Sequence, residues 1–376
     1  MDGTNPKFSL ARSNPKSVAV HAPIPLVSII VPARNEEDVI GDCLGSLSKQ
    51  QDVAFEIILV DDGSTDRTGE IARSVPGLDV IPARPLPNGW TGKNNACWTG
   101  AIWAKGEWLL FTDADTIHEP HALRTALNDA AESQAQMVSF SPKQILGSIW
   151  EMMVMPVIFA ELARQYPPVK VRDPNSRIAA ANGQFLLVEA KTYRELGGHE
   201  FVRNDILEDV ALAKRFKSSG KKIFFDYGGD VVRTRMYRSL KQLIEGWTKN
   251  LALLFPRSLL KSISNSAELI ILLCAAITVY DAIADPIHRH LAVSMITLVA
   301  VYSRLVVLAQ RAHFGWWPSL LAPLGRLFFI ILLLRSYIQS KVKKRIQWKG
   351  REYQQCIDAD APGLVPPKAP PAEYTL

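Results

Sequence analysis

Three groups of carboxylates stand just beyond short apolar runs: Glu36 in the stretch Pro32, Arg34, Asn35, Glu36; Asp61 with Asp62; and Asp113 with Asp115. A fourth, Glu208 with Asp209, opens a run of helical periodicity. Carboxylate oxygens are hard ligands for Mg²⁺ or Mn²⁺, acceptors for hydroxyls and amides, and, suitably placed, proton acceptors. Each group alone has a plainer reading. The sequence D-D-G-S-T-D is also a turn leading into a helix N-cap, and acidic residues gather at helix N-termini in any case.

The surrounding pattern gives these residues a common place. From Leu26 to Asp115 short β-branched runs alternate with amphipathic stretches, which predicts a parallel sheet covered by helices. Val27–Val31 reads as the first strand, Glu56–Val60 as the second and Trp108–Phe111 as a later one. Between the first two, 36–48 spaces Val39, Ile40, Cys43, Leu44 and Leu47 as one helical face. In open α/β sheets the ligand lies beyond the carboxyl ends of the strands, so the first three groups are expected to share one crevice.

Beyond Ser139 the alternation fades. A methionine-rich apolar helix is expected over 146–162, interrupted by Pro156, then a strand over 182–188, a turn at Gly197–Gly198 and a helix over 208–216. Residues 239–254 place Leu240, Leu243, Ile244, Trp247, Leu251 and Leu254 on one face, the form of a helix lying flat on a membrane. Three apolar stretches follow, 269–284, 291–309 and 320–334, each broken or ended by Asp281, Arg304 or Arg326. They are expected to be membrane-embedded, with a soluble helical bundle as the alternative.

Composition narrows the partners. The net charge of +6 comes without any basic-aromatic nucleic-acid signature, so phosphate groups or an anionic membrane surface are expected rather than DNA or RNA. Cys43, Cys97, Cys274 and Cys356 are too scattered for a zinc site or a disulfide framework and suit a reducing cytoplasm. The first 26 residues lack the apolar run of a signal peptide, and 361–372 is proline-rich. The N-terminus is therefore expected to stay cytosolic and the C-terminal segment to be a disordered tail.

The runs VSIIVPARNEE, VDDGSTDRT, LLFTDADT and ILEDVALAKRF together resemble the family 2 glycosyltransferases, over about residues 26–255. GWTGKNNA and the trailing apolar stretches bring the likeness nearest to the hopanoid- and carotenoid-associated members. The resemblance implies an α/β GT-A fold, a Rossmann-like mixed sheet binding a nucleotide diphospho-sugar, followed by C-terminal membrane helices. The expected layout is a flexible segment at 1–25, the GT-A domain at 26–255 with its interfacial helix at 239–254, membrane helices at 266–338 and a cytosolic tail at 339–376.

The resemblance also assigns roles. Asp113 and Asp115 form a D-x-D for Mg²⁺ or Mn²⁺ on the donor diphosphate, with Asp115 the direct ligand. Asp61 and Asp62 bind base and ribose, usually uridine, and Pro32, Arg34 and Glu36 form the facing wall. Lys93, in a loop after Trp90, lies near the diphosphate. Asp209 is the base that deprotonates the acceptor, with Glu208 orienting it or capping its helix. Asn182, Gly183 and Trp247 fall on the acceptor side.

Processive members carry Q-x-x-R-W, whereas Gly246 precedes Trp247 here, which puts polymer synthesis in doubt; Arg235, Arg238 or Lys249 is left to meet the diphosphate. The expected activity is inverting transfer from a UDP-type sugar to a membrane lipid or polyprenoid, with the catalytic domain cytosolic. A small polysaccharide synthase and a noncatalytic nucleotide-sugar-binding membrane protein are the alternatives. The basic cluster 341–345 belongs on the cytosolic side, so one of the three stretches, 320–334, is expected to be re-entrant or interfacial.

Overall fold

The structure, a computed structural model, describes residues 26–284, 291–342, 345–348 and 351–354. The expected N-terminal segment, the proline-rich tail and Cys356 lie outside them.

Strand β1 (Val27–Ala33) is central, flanked in parallel by β2 (Phe55–Asp61) and β4 (Trp108–Phe111), with β3 (Leu78–Pro82) outside β2. The short strands β5 (Thr116–His118), β6 (Met137–Ser141) and β7 (Lys143–Gln144) follow in sequence, then β8 (Leu186–Glu189), β9 (Ile223–Tyr227) and β10 (Val232–Thr234). β8 runs antiparallel between β4 and β6, and β9 closes the seven-stranded sheet in the order β3-β2-β1-β4-β8-β6-β9. β5, β10 and β7 make a second small sheet.

Side-chain alternation divides the core. Ile29, Val31, Leu59 and Leu110 face α1 (Ile40–Leu47), α2 (Thr68–Arg73) and, further along the chain, α4 (Ala122–Ser133). Ile30, Ile58, Val60 and Leu109 face α3 (Gly92–Trp103) on the other side. The first helix starts at Ile40, four residues later than expected from Glu36. The intervening backbone is taken by the neighbouring loop: Glu36 N–H donates to Thr68 Oγ1 at 2.7 Å and Glu37 N–H to Asp66 Oδ2 at 3.1 Å.

A third core joins the two halves of the chain. α5 (Ile149–Gln165) runs unbroken through Pro156, against expectation, and short α6 (Pro168–Arg172), α7 (Ala190–Glu195) and α8 (Gly198–Phe201) lead to α9 (Glu208–Ser218). After α10 (Leu240–Leu254) come α11 (Ser258–Ala284), α12 (Leu291–Arg311), α13 (Trp316–Leu320) and α14 (Ala322–Tyr337). Val154, Val157 and Ile158 of α5, Leu243, Trp247 and Leu251 of α10 and Phe329 and Leu333 of α14 are buried together. The apolar face of α10 is therefore covered by protein; it does not lie bare on a lipid surface as expected.

Three helices among the described residues are long and apolar enough to cross a membrane. Only 17% and 11% of the apolar windows of α11 and α12 are buried inside the molecule, against 44% for the α14 segment. α11 begins eleven residues before the expected stretch, because its early polar side chains pair with charged groups on α5, α12 and α14. Lys261 Nζ meets Glu161 Oε2 at 2.6 Å, Glu268 meets Arg304 at 3.0 Å and Arg326 at 3.2 Å, and Arg326 also bonds Asn265 and Glu161. α14 lies along α5 and α10: Gly325 packs on Met153, and Ser336 Oγ accepts from Ala252 N–H at 2.8 Å.

Candidate active site

Each predicted group arrives at the cleft on a different element. β1 runs out into Pro32, Arg34 and Glu36, and β4 into Asp113 and Asp115. The α9 N-terminus brings Glu208 and Asp209, and the turn before β8 brings Asn182 and Gly183. They line one cleft of about 1260 Å³.

Lys93 is the electrostatic centre. It is the second residue of α3, not a loop residue as expected, and Thr91 caps that helix by accepting from Asn94 N–H at 3.2 Å. Lys93 Nζ sits 2.7 Å from Asp113 Oδ1 and 2.7 Å from Glu208 Oε1. Burial alone would depress its pKa, but Asp113 and Glu208 outweigh burial and hold it well above the ordinary lysine value. Glu208 thus pairs with Lys93 at the start of α9.

Asp209 has a different setting. Its Oδ2 accepts from Gly183 N–H at 2.8 Å and its Oδ1 from Val210 N–H at 2.7 Å. Burial, then the Glu208 charge, push its carboxyl up to about 6, with Lys93 and the two amides pulling the other way. The backbone at Gly183 has no room for a larger residue without crowding Lys93 and Glu208, since a Cβ there would stand 3.1 Å from Nζ and 3.3 Å from Oε1.

Asp115 is pushed up to about 7 by burial first, then by Asp113 and Glu36. Its Oδ1 is buried without a hydrogen-bond partner. A costly orphan of this kind beside a second carboxylate fits a divalent cation. No group of three or more candidate ligand side chains occurs among the described residues, so Asp115 and Asp113 would share the ion with phosphate oxygens and water, as Mg²⁺ commonly does. The D-x-D loop is braced from below: Thr112 Oγ1 contacts His118 Nε2 at 2.9 Å, and Thr116 Oγ1 donates to the Asp113 carbonyl at 2.7 Å. Burial lowers the His118 pKa to about 3, so this brace is a neutral imidazole.

Some residues are placed otherwise than expected. Asp62 lines the cleft with Arg34, whose Nη1 donates to the Asp62 carbonyl at 2.9 Å. Asp61 does not line it; its Oδ1 accepts from Ser64 N–H at 2.8 Å and shapes the turn. Trp247 is buried, with its indole N–H directed at Met155 Sδ at 3.4 Å, so it forms inner wall instead of a membrane anchor. Arg235, Arg238 and Lys249 all line the cleft; Arg235 is held by Glu151 at 3.1 Å, and burial brings the Lys249 pKa down to about 8. Tyr166 and Tyr237 also line the cleft, and neither stood out in the sequence.

The model of the family "Glycosyl transferase family 2" matches residues 28–190. A 4,4'-diaponeurosporenoate glycosyltransferase of Staphylococcus aureus (strain USA300) is 28% identical over 346 residues, spanning 87% of this chain and 88% of that protein. The enzyme of the same description from Staphylococcus haemolyticus (strain JCSC1435) is 29% identical over 345 residues, with the same coverage. The crystal structure of glucosyl-3-phosphoglycerate synthase from Mycobacterium tuberculosis with Mn²⁺, uridine diphosphate and glucosyl-3-phosphoglycerate superposes with a TM-score of 0.43 at 22% identity, covering 62% of this chain and 80% of that one. Residues 28–190, with their mixed sheet and converging acidic loops, match a family 2 glycosyl transferase domain, and the chain that carries it is a glycosyltransferase.

Proposed function

We propose that the chain transfers a sugar, with inversion, from a nucleotide sugar to a hydroxyl on a polyprenoid or other membrane lipid. The observation that carries this is the shared cleft. Asp209, Lys93, Asp113 and Asp115 line it together with Phe314 and Arg335, which belong to the part of the chain that holds the membrane-length helices. The staphylococcal relatives, named for an apolar polyene acid, support an acceptor with an extended apolar skeleton.

In this reading Arg34, Glu36 and Asp62 hold the nucleoside, whose base is uracil as the family resemblance implies. Asp115 and Asp113 hold Mg²⁺ or Mn²⁺, which when bound neutralises charge building on the departing diphosphate. Asp209 accepts the proton of the attacking hydroxyl, aimed by the Gly183 and Val210 amides. The catalytic domain faces the cytosol, where the buried free thiols of Cys43 and Cys97 stay reduced. Arg311, Arg335 and Lys249 keep the membrane side of the cleft basic.

Asp209→Asn tests the assignment. Turnover should fall by at least about a hundred-fold with the donor KM changed only a few-fold, because the amide keeps the shape and loses the proton acceptor. A variant that retains most of its turnover would move the role to Glu208 or Asp205.

A further inference from the structure

Phe159, Leu162, Ala163 and Tyr166 stand at i, i+3, i+4 and i+7 along and just beyond α5, so they share one helical face, and all four line the cleft. From the opposite side α10 turns Trp247 and Leu254, seven residues apart, into the same space. Seven helical residues rise about 10 Å, which sets the length of this apolar stripe.

The two ends of the stripe differ. At Tyr166 it reaches the reaction centre, where the phenol lies within electrostatic range of Asp209 and donates to the Leu254 carbonyl at 2.8 Å. At Phe159 it reaches the membrane part. Phe159 packs against Phe314 with ring centroids 5.9 Å apart and edge-on to Trp247 at 6.1 Å, and Phe314 lies just beyond the end of α12 at Arg311. At the same mouth His313 stacks on Tyr227 with centroids 3.7 Å apart. No residue of the stripe has a part in holding the donor or the cation. The cleft of about 1260 Å³ also exceeds the roughly 300–1,000 Å³ of a pocket for one small ligand, so a second substrate fits beside the donor.

We propose that this stripe is the subsite for the acceptor's apolar tail. A long-chain isoprenoid alcohol lies along α5 with its hydroxyl between Tyr166 and Asp209, and its chain leaves past Phe159 and Phe314 into the bilayer beside α12. The assignment rests on the lipid-acceptor reading above and adds which helix face binds the chain and which way it points. Ala163 is the position that tests it, since it is exposed to the cleft and carries the smallest side chain of the four. A large residue there fills the groove without entering the core.

The experiment uses the full chain in phospholipid nanodiscs with a long-chain isoprenoid alcohol, the same alcohol carrying a diazirine at the tail end, and a short water-soluble alcohol. Ala163→Trp should raise the KM for the long alcohol about ten-fold or more, equivalent to about 1.4 kcal/mol, with the donor KM moving less than about two-fold. The diazirine should label the peptide containing Phe314, and Phe159→Ala should weaken that labelling. An unchanged KM for the long alcohol in Ala163→Trp, or labelling elsewhere while transfer continues, would overturn the subsite and leave the lipid-acceptor reading standing. If the wild-type protein uses the short alcohol as well as the long one, that reading falls and the subsite with it.

Discussion

In the proposed mechanism Asp209 and Asp115 carry the chemistry, and each depends strongly on its neighbours. Because burial and Glu208 raise Asp209 to about 6, a base at this position, as proposed above, is ionised and active above that pH and protonated below it. Turnover should therefore fall as pH drops through about 6, not near 4 where an ordinary carboxylate titrates. A profile of kcat against pH that stays flat down to pH 5 would remove Asp209 from the role. For Asp115→Ala, calorimetry with a UDP-sugar should show that Mn²⁺ no longer strengthens donor binding, whereas equal affinity with and without metal in the wild type would mean that the pair serves only the fold. At this scale much was legible in the sequence. Glu36, Asp62, Lys93, Asp113, Asp115 and Asp209 were marked by their places after apolar runs and by motif, and the fold brings them to one cleft. Partner choice was not legible. That Lys93 spans Asp113 and Glu208, or that Tyr166 lines the same cleft as Asp209, depends on the meeting of residues 20 to 115 positions apart, which no local pattern encodes.

At the level of elements, the packing of α5, α10 and α14 decides whether the cleft keeps its wall. At Gly325 α14 lies tight against α5, since a Cβ there would run into the Met153 carbonyl and the Val157 side chain. Gly325→Ala should destabilise the protein by about 1–3 kcal/mol, the cost of overpacking a tight contact, and should weaken transfer to a lipid more than donor binding. Thermal unfolding in detergent with paired donor and acceptor kinetics would check both; an unchanged melting temperature would show that the helices accommodate the methyl group. The early sheet was read correctly from β-branched runs, with Trp108–Phe111 matched to the residue. α10 was read as a helix but assigned the wrong neighbour, because periodicity reports an apolar face without saying whether lipid or protein covers it. α5 continues through Pro156 for a similar reason: helices on several sides hold it, and the one hydrogen bond that Pro156 cannot make does not end it.

For the whole molecule, the contacts sort the three long apolar helices into two kinds. α11 and α12 leave the catalytic part and return to it, since Lys261 near the start of one meets Glu161 and His313 after the other meets Tyr227. α14 stays against α5 and α10, and the hairpin of 345–348 with 351–354 follows, its first strand lying against α10. A reporter fused after Gln354 should accordingly read on the same side of the membrane as one placed in the catalytic domain, and opposite readings would mean that α14 crosses. The cleft opening beside Phe314 has a kinetic meaning of its own. A substrate that enters sideways from the bilayer is encountered at its surface density, not at its concentration in the tube. Adding inert lipid at constant amounts of enzyme and acceptor should slow transfer by diluting the acceptor in two dimensions, and adding water should leave the rate nearly unchanged as long as the donor stays saturating.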